Sequence, residues 1–175
     1  MNHQALQEAA SIIWNHWQSN TKLDELPEPL RPQNRQAGYA VQSMLPAVAA
    51  RKVLGWKIAA TSAVGQAHIN VSGPMAGRIL SGQVLQDGDK VPSQGNWMRV
   101  AEPEIAFVMQ SDLTPRANAY SLEEVMQAVG ALHPSLEIPN SRYSVFTAVG
   151  EAQLLADNAC AHQFILGPKS PDVWR

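Results

Sequence analysis

Two glutamates stand one residue apart in RVAEPEIAFVM, Arg99 to Met109, at the head of a run that reads as buried strand. Strand side chains alternate between faces, so Glu102 and Glu104 point the same way, with attachment points about 6.5 to 7 Å apart. Two carboxylates so placed repel each other and lose hydration; either one keeps its proton or a cation joins them. The continuously apolar IAFVM that follows predicts a strand covered on both faces, with the glutamates at its rim. The opposing reading puts both glutamates on the solvent face of an edge strand, with Pro103, which lacks an N–H, marking that edge. Glu137 shifts the balance, because the apolar strand-like stretch HPSLEIPNS holds a charge only where that charge is satisfied. A third carboxylate from a neighbouring strand completes a hard, oxygen-rich site suited to Mg²⁺ or Mn²⁺ with positions left for water. Carboxylates without histidine argue against zinc.

Lys57 interrupts VLGWKIAA, where everything around it is apolar. Such surroundings disfavour the ammonium form and bring the amine toward the range useful for proton transfer, which makes Lys57 a candidate acid or base. Two other readings stay open: an edge strand with Lys57 snorkelling outward, or a structural ion pair with one glutamate. His3, His16, His68, His133 and His162 show no HExxH or other ligand spacing. There is no GxGxxG after a strand, no GxxxxGK[ST] and no GxSxG, so neither dinucleotide chemistry nor serine hydrolysis is indicated. Cys160 is the only cysteine; it forms no internal disulfide and reads as a small buried hydrophobe in a reducing compartment.

These residues need elements to position them. Leu6, Ala10, Ile13 and Trp17 form one stripe of a helix from about Asn2 to Gln18. A proline-rich loop follows, and past Pro32 the positions Val41, Met44, Leu45 and Val48 give a second helix that Pro46 should end or kink near Leu45. From Val53 the pattern changes to short apolar runs: VLGWKIAA, AGRIL, GQVLQDGDKV with a tight turn at Asp87-Gly88, and the Arg99 to Met109 run. Ser121 and Glu124 make a capping box for a helix with a buried stripe of Leu122, Val125, Met126 and Val129, ended by Gly130. ALHPSLEIPNSRY and AHQFILGP read as further strands. Helices and strands mix without strict alternation, which predicts an α+β architecture over a doubly wound parallel sheet.

The 175 residues, 45% hydrophobic and 16% charged, suit one globular domain with a small helical appendage. Net charge is −2 and the 13 Lys and Arg residues are scattered, so neither nucleic acid nor an anionic membrane is an expected partner. No apolar run approaches the roughly 20 residues a membrane span requires. Gln7, Glu8 and Asn15 interrupt the opening segment, so no secretory signal is expected and the cytoplasm is the expected compartment.

Five stretches taken in order resemble the fumarylacetoacetate hydrolase superfamily: GWKIAATS (Gly55 to Ser62), GPMAGRIL (Gly73 to Leu80), AEPEIAFVM (Ala101 to Met109), LEIPNSRY (Leu136 to Tyr143) and LLADNACAHQFILGP (Leu154 to Pro168). They are most similar to its branch of 2-keto-4-pentenoate hydratases and 4-oxalocrotonate decarboxylases, from about Arg35 to the C-terminus. The resemblance implies a mixed β-roll or sandwich with an N-terminal helical cap: a helical region over 1–52 and a catalytic roll over 53–175. It also implies that the roll is incomplete, since family members continue beyond the point where this sequence stops. Glu102, Glu104 and Glu137 correspond to the ligands of a divalent metal, Mg²⁺ or Mn²⁺, and Lys57 to the active-site lysine. Thr61 and Ser62 become substrate-contacting hydroxyls.

The implied substrate is a small 2-oxo or 2-hydroxydienoic acid, and the implied reaction is addition of water to a 2-hydroxypenta-2,4-dienoate in aromatic-compound degradation. Decarboxylation of a 4-oxalocrotonate-type diacid and a non-catalytic partner subunit are the alternatives. Family members are commonly multimeric, so a homo-oligomer is expected. Two positions depart from the pattern. Pro74-Met75-Ala76-Gly77 stands where hydratases often carry an acidic residue in P-[DE]-[YF]-G, and Asn140-Ser141-Arg142 replaces the frequent D-S-R.

Overall fold

Two asparagines start the helical layer. In a computed structural model that describes residues 1–171, Asn2 Oδ1 accepts from Ala5 N at 2.9 Å and opens α1 (His3–Ser19), and Asn34 Oδ1 accepts from Ala37 N at 2.9 Å and opens α2 (Arg35–Val48). Each side-chain oxygen satisfies one of the donors that a helix start leaves unpaired. The last residues of the expected 53–175 region, 172–175, lie outside the described residues.

α1 buries Ala9, Ala10, Ile13 and Trp17, close to the expected stripe, against Val41 and Leu45 of α2. Tyr143 and Ala156, far along the chain, complete this core. α2 does not stop at Leu45: it runs to Val48 with Pro46 inside its last turn. The missing N–H forfeits one bond, whereas buried Val41 and Leu45 and the closing bonds Ala49 N to Leu45 O (2.8 Å) and Arg51 N to Pro46 O (2.9 Å) hold the turn. α5 (Glu151–Ala156) lies so close to α2 that a Cβ on Gly38 would come within 2.4 Å of the Ala152 carbonyl oxygen.

β1 (Val53–Ala59) and β2 (Met75–Leu80) form an antiparallel pair, joined through the short α3 (Ala63–His68). The second sheet has the order β3-β6-β5-β4, built from β3 (Val84–Gln86), β4 (Glu102–Met109), β5 (Val129–Ile138) and β6 (Gln163–Leu166), with α4 (Leu122–Ala128) before β5. The turn at Asp87-Gly88 is present, Gly88 taking φ +87°, yet β3 forms no hairpin; it pairs in parallel with β6. This is the expected α+β fold. Among the described residues, no helix is long and apolar enough to cross a membrane.

Three local expectations change. The capping box on α4 forms as read, but Leu122 is exposed, and the helix ends at Ala128 so that Gly130 belongs to β5. A Cβ at Gly130 would meet Gln110 Cβ at 2.9 Å, so the glycine serves a close approach between two segments of the chain rather than a left-handed cap. IAFVM is not covered on both faces. β4 is the end strand of its sheet, and Ile105 and Phe107 are more than half exposed.

Candidate metal centre

Strand register assembles the acidic site. Glu102 lies directly opposite Glu137 in the β4–β5 ladder, and Glu104 is opposite Ser135, so the three carboxylates share one face at adjacent and diagonal positions. Each offers an oxygen within 4.8 Å of the others. Glu102 and Glu104 are half-buried and Glu137 is 2% exposed. The edge-strand reading and the buried-carboxylate reading are therefore both realised: β4 is an edge, and its glutamates turn inward.

Lys57 reaches this site from the other sheet. β1 inverts the usual pattern, burying Lys57 and leaving Leu54, Trp56 and Ile58 exposed. Its partner across the pair is Gly77, where a Cβ would lie 3.2 Å from Lys57 Cε and 2.5 Å from the Asn158 carbonyl oxygen, so glycine makes room for the lysine stem. Lys57 Nζ sits 3.0 Å from Glu137 Oε1, which selects the ion pair over the outward-snorkelling alternative.

Burial pushes the Glu137 carboxyl up to about 7, against the pull of Lys57 and with help from Glu104 and Glu102. Burial likewise raises Glu104, which Lys57 lowers and Glu102 raises further. Beside the Lys57 contact at Oε1, Glu137 leaves its Oε2 without a hydrogen bond among the described residues. A buried acceptor left without a donor, in an all-oxygen set of three acids, is what a hard dication satisfies. The carboxylate cluster fits a divalent metal.

A cleft of about 920 Å³ runs between β1 and β4, lined by Trp56, Lys57, Thr61, Glu104 and Phe107 among others. Thr61 faces it. Ser62 caps α3, its Oγ accepting from Gly65 N at 3.1 Å, and does not line the cleft.

No family model matches the chain. A 2-keto-4-pentenoate hydratase of Paraburkholderia xenovorans (strain LB400) is 31% identical over 176 residues, covering 98% of this chain and 64% of that protein. A 4-oxalocrotonate decarboxylase from Pseudomonas putida G7, complexed with magnesium and adipate, has the same fold with a TM-score of 0.82 at 22% identity, over 95% of this chain and 64% of that one. The chain belongs to the fumarylacetoacetate hydrolase superfamily, on the hydratase and decarboxylase branch. A 4-oxalocrotonate decarboxylase of Pseudomonas sp is 32% identical over 118 residues, 67% of this chain and 44% of that protein. The chain thus spans less than two thirds of the length of these superfamily members.

The superfamily block LLADNACAHQFILGP contains two residues whose work the sequence did not disclose. Asp157 is fully buried; its carboxylate accepts from Ser141 Oγ at 2.7 Å and Arg142 N at 3.0 Å and pairs with Arg142 Nε. Arg142 also donates to Asn140 O (2.6 Å) and Ala161 O (3.0 Å) and lies 4.0 Å from the centre of the Trp17 ring. This knot ties the exit of β5, and with it Glu137, to the helical layer. Asn158 clamps the backbone of Arg78 in β2, accepting from its N–H at 2.7 Å and donating to its C=O at 2.8 Å. It thereby holds the strand beside Lys57. A signal was available: a charged residue inside the apolar run LLADNAC demands a buried partner.

Proposed function

We propose that this chain carries the metal-holding site of a lyase that adds water to a 2-keto-4-pentenoate-type substrate. The observation that supports it is the convergence of Glu102, Glu104 and Glu137 within 4.8 Å beside buried Lys57, at the wall of a cleft large enough for a small organic acid. The three glutamates hold Mg²⁺ or Mn²⁺; the magnesium of the P. putida decarboxylase structure supports the first. Bound there, the dication supplies positive charge that stabilises the negative charge developing on the substrate's 2-oxygen.

Lys57 Nζ holds and moves the proton that passes to or from the substrate carbon chain, with Glu137 fixing its direction. Thr61 offers a hydroxyl to the cleft, while the next residue, Ser62, caps α3 at its edge. Burial of Lys57 limits the access of competing water to the amine. The enzyme works in the cytoplasm as a homo-oligomer; the exposed apolar side chains of β1 and β4 support association.

The second reading is decarboxylation of a 2-oxo diacid, favoured by the decarboxylase relative at 32% identity. Turnover of 2-hydroxypenta-2,4-dienoate that disappears on chelation and returns with Mg²⁺ supports hydration, and CO₂ release from a diacid supports decarboxylation. Neither activity from the metal-loaded chain would refute both. Lys57→Met is expected to lower turnover at least about a hundredfold while Mg²⁺ still binds. Undiminished turnover removes the proton-transfer role.

A further inference from the structure

Net charge limits which ions the three-glutamate cluster can hold. Glu102, Glu104 and Glu137 bring three negative charges within 4.8 Å of one another, and the Lys57 ammonium stands 3.0 Å from Glu137 Oε1. Lys57 is 5% exposed and Glu137 2%, so solvent screens neither charge well. Lys57 is the positive charge that acts on Glu104 as well as on Glu137. Of the residues lining the cleft, Lys57 and Glu104 alone are charged; the rest, Thr61 apart, are apolar or glycine.

Three carboxylates and one ammonium in so small a volume leave a net charge of two negative units, which one dication cancels. Glu137 has one oxygen on Lys57 and the other, Oε2, buried without a hydrogen bond among the described residues. A carboxylate so divided can serve two cations at once, the ammonium through Oε1 and a metal through Oε2. A Cβ on Gly77 would lie 3.2 Å from Lys57 Cε, so the lysine stem runs close against that backbone and the ammonium stays beside Glu137.

We infer that Lys57, besides its part in proton transfer, sets the net charge of the glutamate cluster at two and so fixes its preference for a dication over a trication. Without the ammonium the same carboxylates carry three charges, the match for a trivalent ion. The inference rests on the metal-holding site proposed above and names a property of it: selectivity by charge, held by a residue that is not itself a ligand.

Tb³⁺, a hard trication whose luminescence a nearby indole excites, is the probe, since Trp56 lines the cleft, and Mn²⁺ is its competitor. Titrating Mn²⁺ against the Tb³⁺ signal of the full chain gives the ratio of the two affinities directly. The ammonium repels a trication by half as much again as a dication, so its removal in Lys57→Met is expected to raise the Tb³⁺-to-Mn²⁺ affinity ratio about tenfold. Protons held by the glutamates do not enter that ratio, because both ions displace the same ones. Adding Glu102→Gln to Lys57→Met returns the cluster to two charges and is expected to bring the ratio back to within about twofold of the parent, although both affinities fall. A lysine that only positions Glu137 would change both affinities in proportion. An unmoved ratio in Lys57→Met, or a double variant whose ratio does not return, therefore overturns the inference. Lys57→Gln, neutral and polar, carries the test should the apolar variant fail to fold. Binding of neither ion to the parent chain refutes the metal centre itself, whereas a parent that binds Mn²⁺ with an unmoved ratio in the variants refutes only the role given to Lys57.

Discussion

Glu102→Gln should make the metal-free protein more stable and the metal-loaded protein less so. Glu102 faces Glu137 directly across the β4–β5 ladder, and like charges so placed cost about 0.2 to 1 kcal/mol. The amide keeps the shape and removes the repulsion, which for a chain of this length raises the melting temperature by up to about 4 °C. The comparison is made near pH 8, about one unit above the value to which burial pushes Glu137, so that the opposing carboxylate is charged. Magnesium at a hundred times its dissociation constant stabilises the parent by about 2.7 kcal/mol. A variant with one ligand fewer should lose most of that gain. Thermal unfolding after chelation and again with Mg²⁺, beside calorimetric titration of the ion, should therefore show the two proteins exchanging rank. A variant that is less stable than the parent without metal, or that keeps the full magnesium-dependent rise, would refute the convergence of these carboxylates on one cation.

Other outcomes follow from the surrounding packing. Asp157→Asn leaves the Arg142 guanidinium, 2% exposed, without its counter-charge and should cost about 3 to 5 kcal/mol in urea unfolding; replacing both residues by apolar ones of similar volume should recover most of it. Gly77→Ala drives a methyl group against the Asn158 carbonyl and the Lys57 stem, so a loss of about 1 to 3 kcal/mol is expected together with lower turnover at unchanged Mg²⁺ affinity. His162 gives a pH dependence of definite sign. Burial, with Arg142 and Lys22 adding to it, holds its imidazole down to about 4, below the ordinary value of 6.5. The unfolded chain therefore takes up the proton first. This contribution to stability is complete above pH 6.5 and is lost as pH falls toward 4, at most about 3 kcal/mol in all. Urea midpoints across that range should flatten in His162→Phe; an unchanged slope would assign the acid sensitivity elsewhere.

Some of this site was legible in local pattern alone. A period of two puts Glu102 and Glu104 on one face of any strand they occupy, and a capping box or an asparagine at a helix start acts within four residues of itself. Such features need no knowledge of the rest of the fold. Coverage of IAFVM could not be read this way, since an apolar strand is written alike whether both its faces are packed or one is open. Gly130 carried a cap signal and was claimed by the approach of Gln110.

The sequence by itself determined the chemistry available: three carboxylates and a lysine, each set in or beside an apolar stretch. Tertiary structure decided who the partners are. The β4–β5 register brings Glu137 opposite Glu102 across 35 positions of chain, and packing of the other sheet brings Lys57 to within 3.0 Å of Glu137. It also set Asp157 on Arg142 and Asn158 on the backbone of Arg78. Side-chain type is a local property, whereas desolvation and charge pairing depend on which distant segments fold against one another.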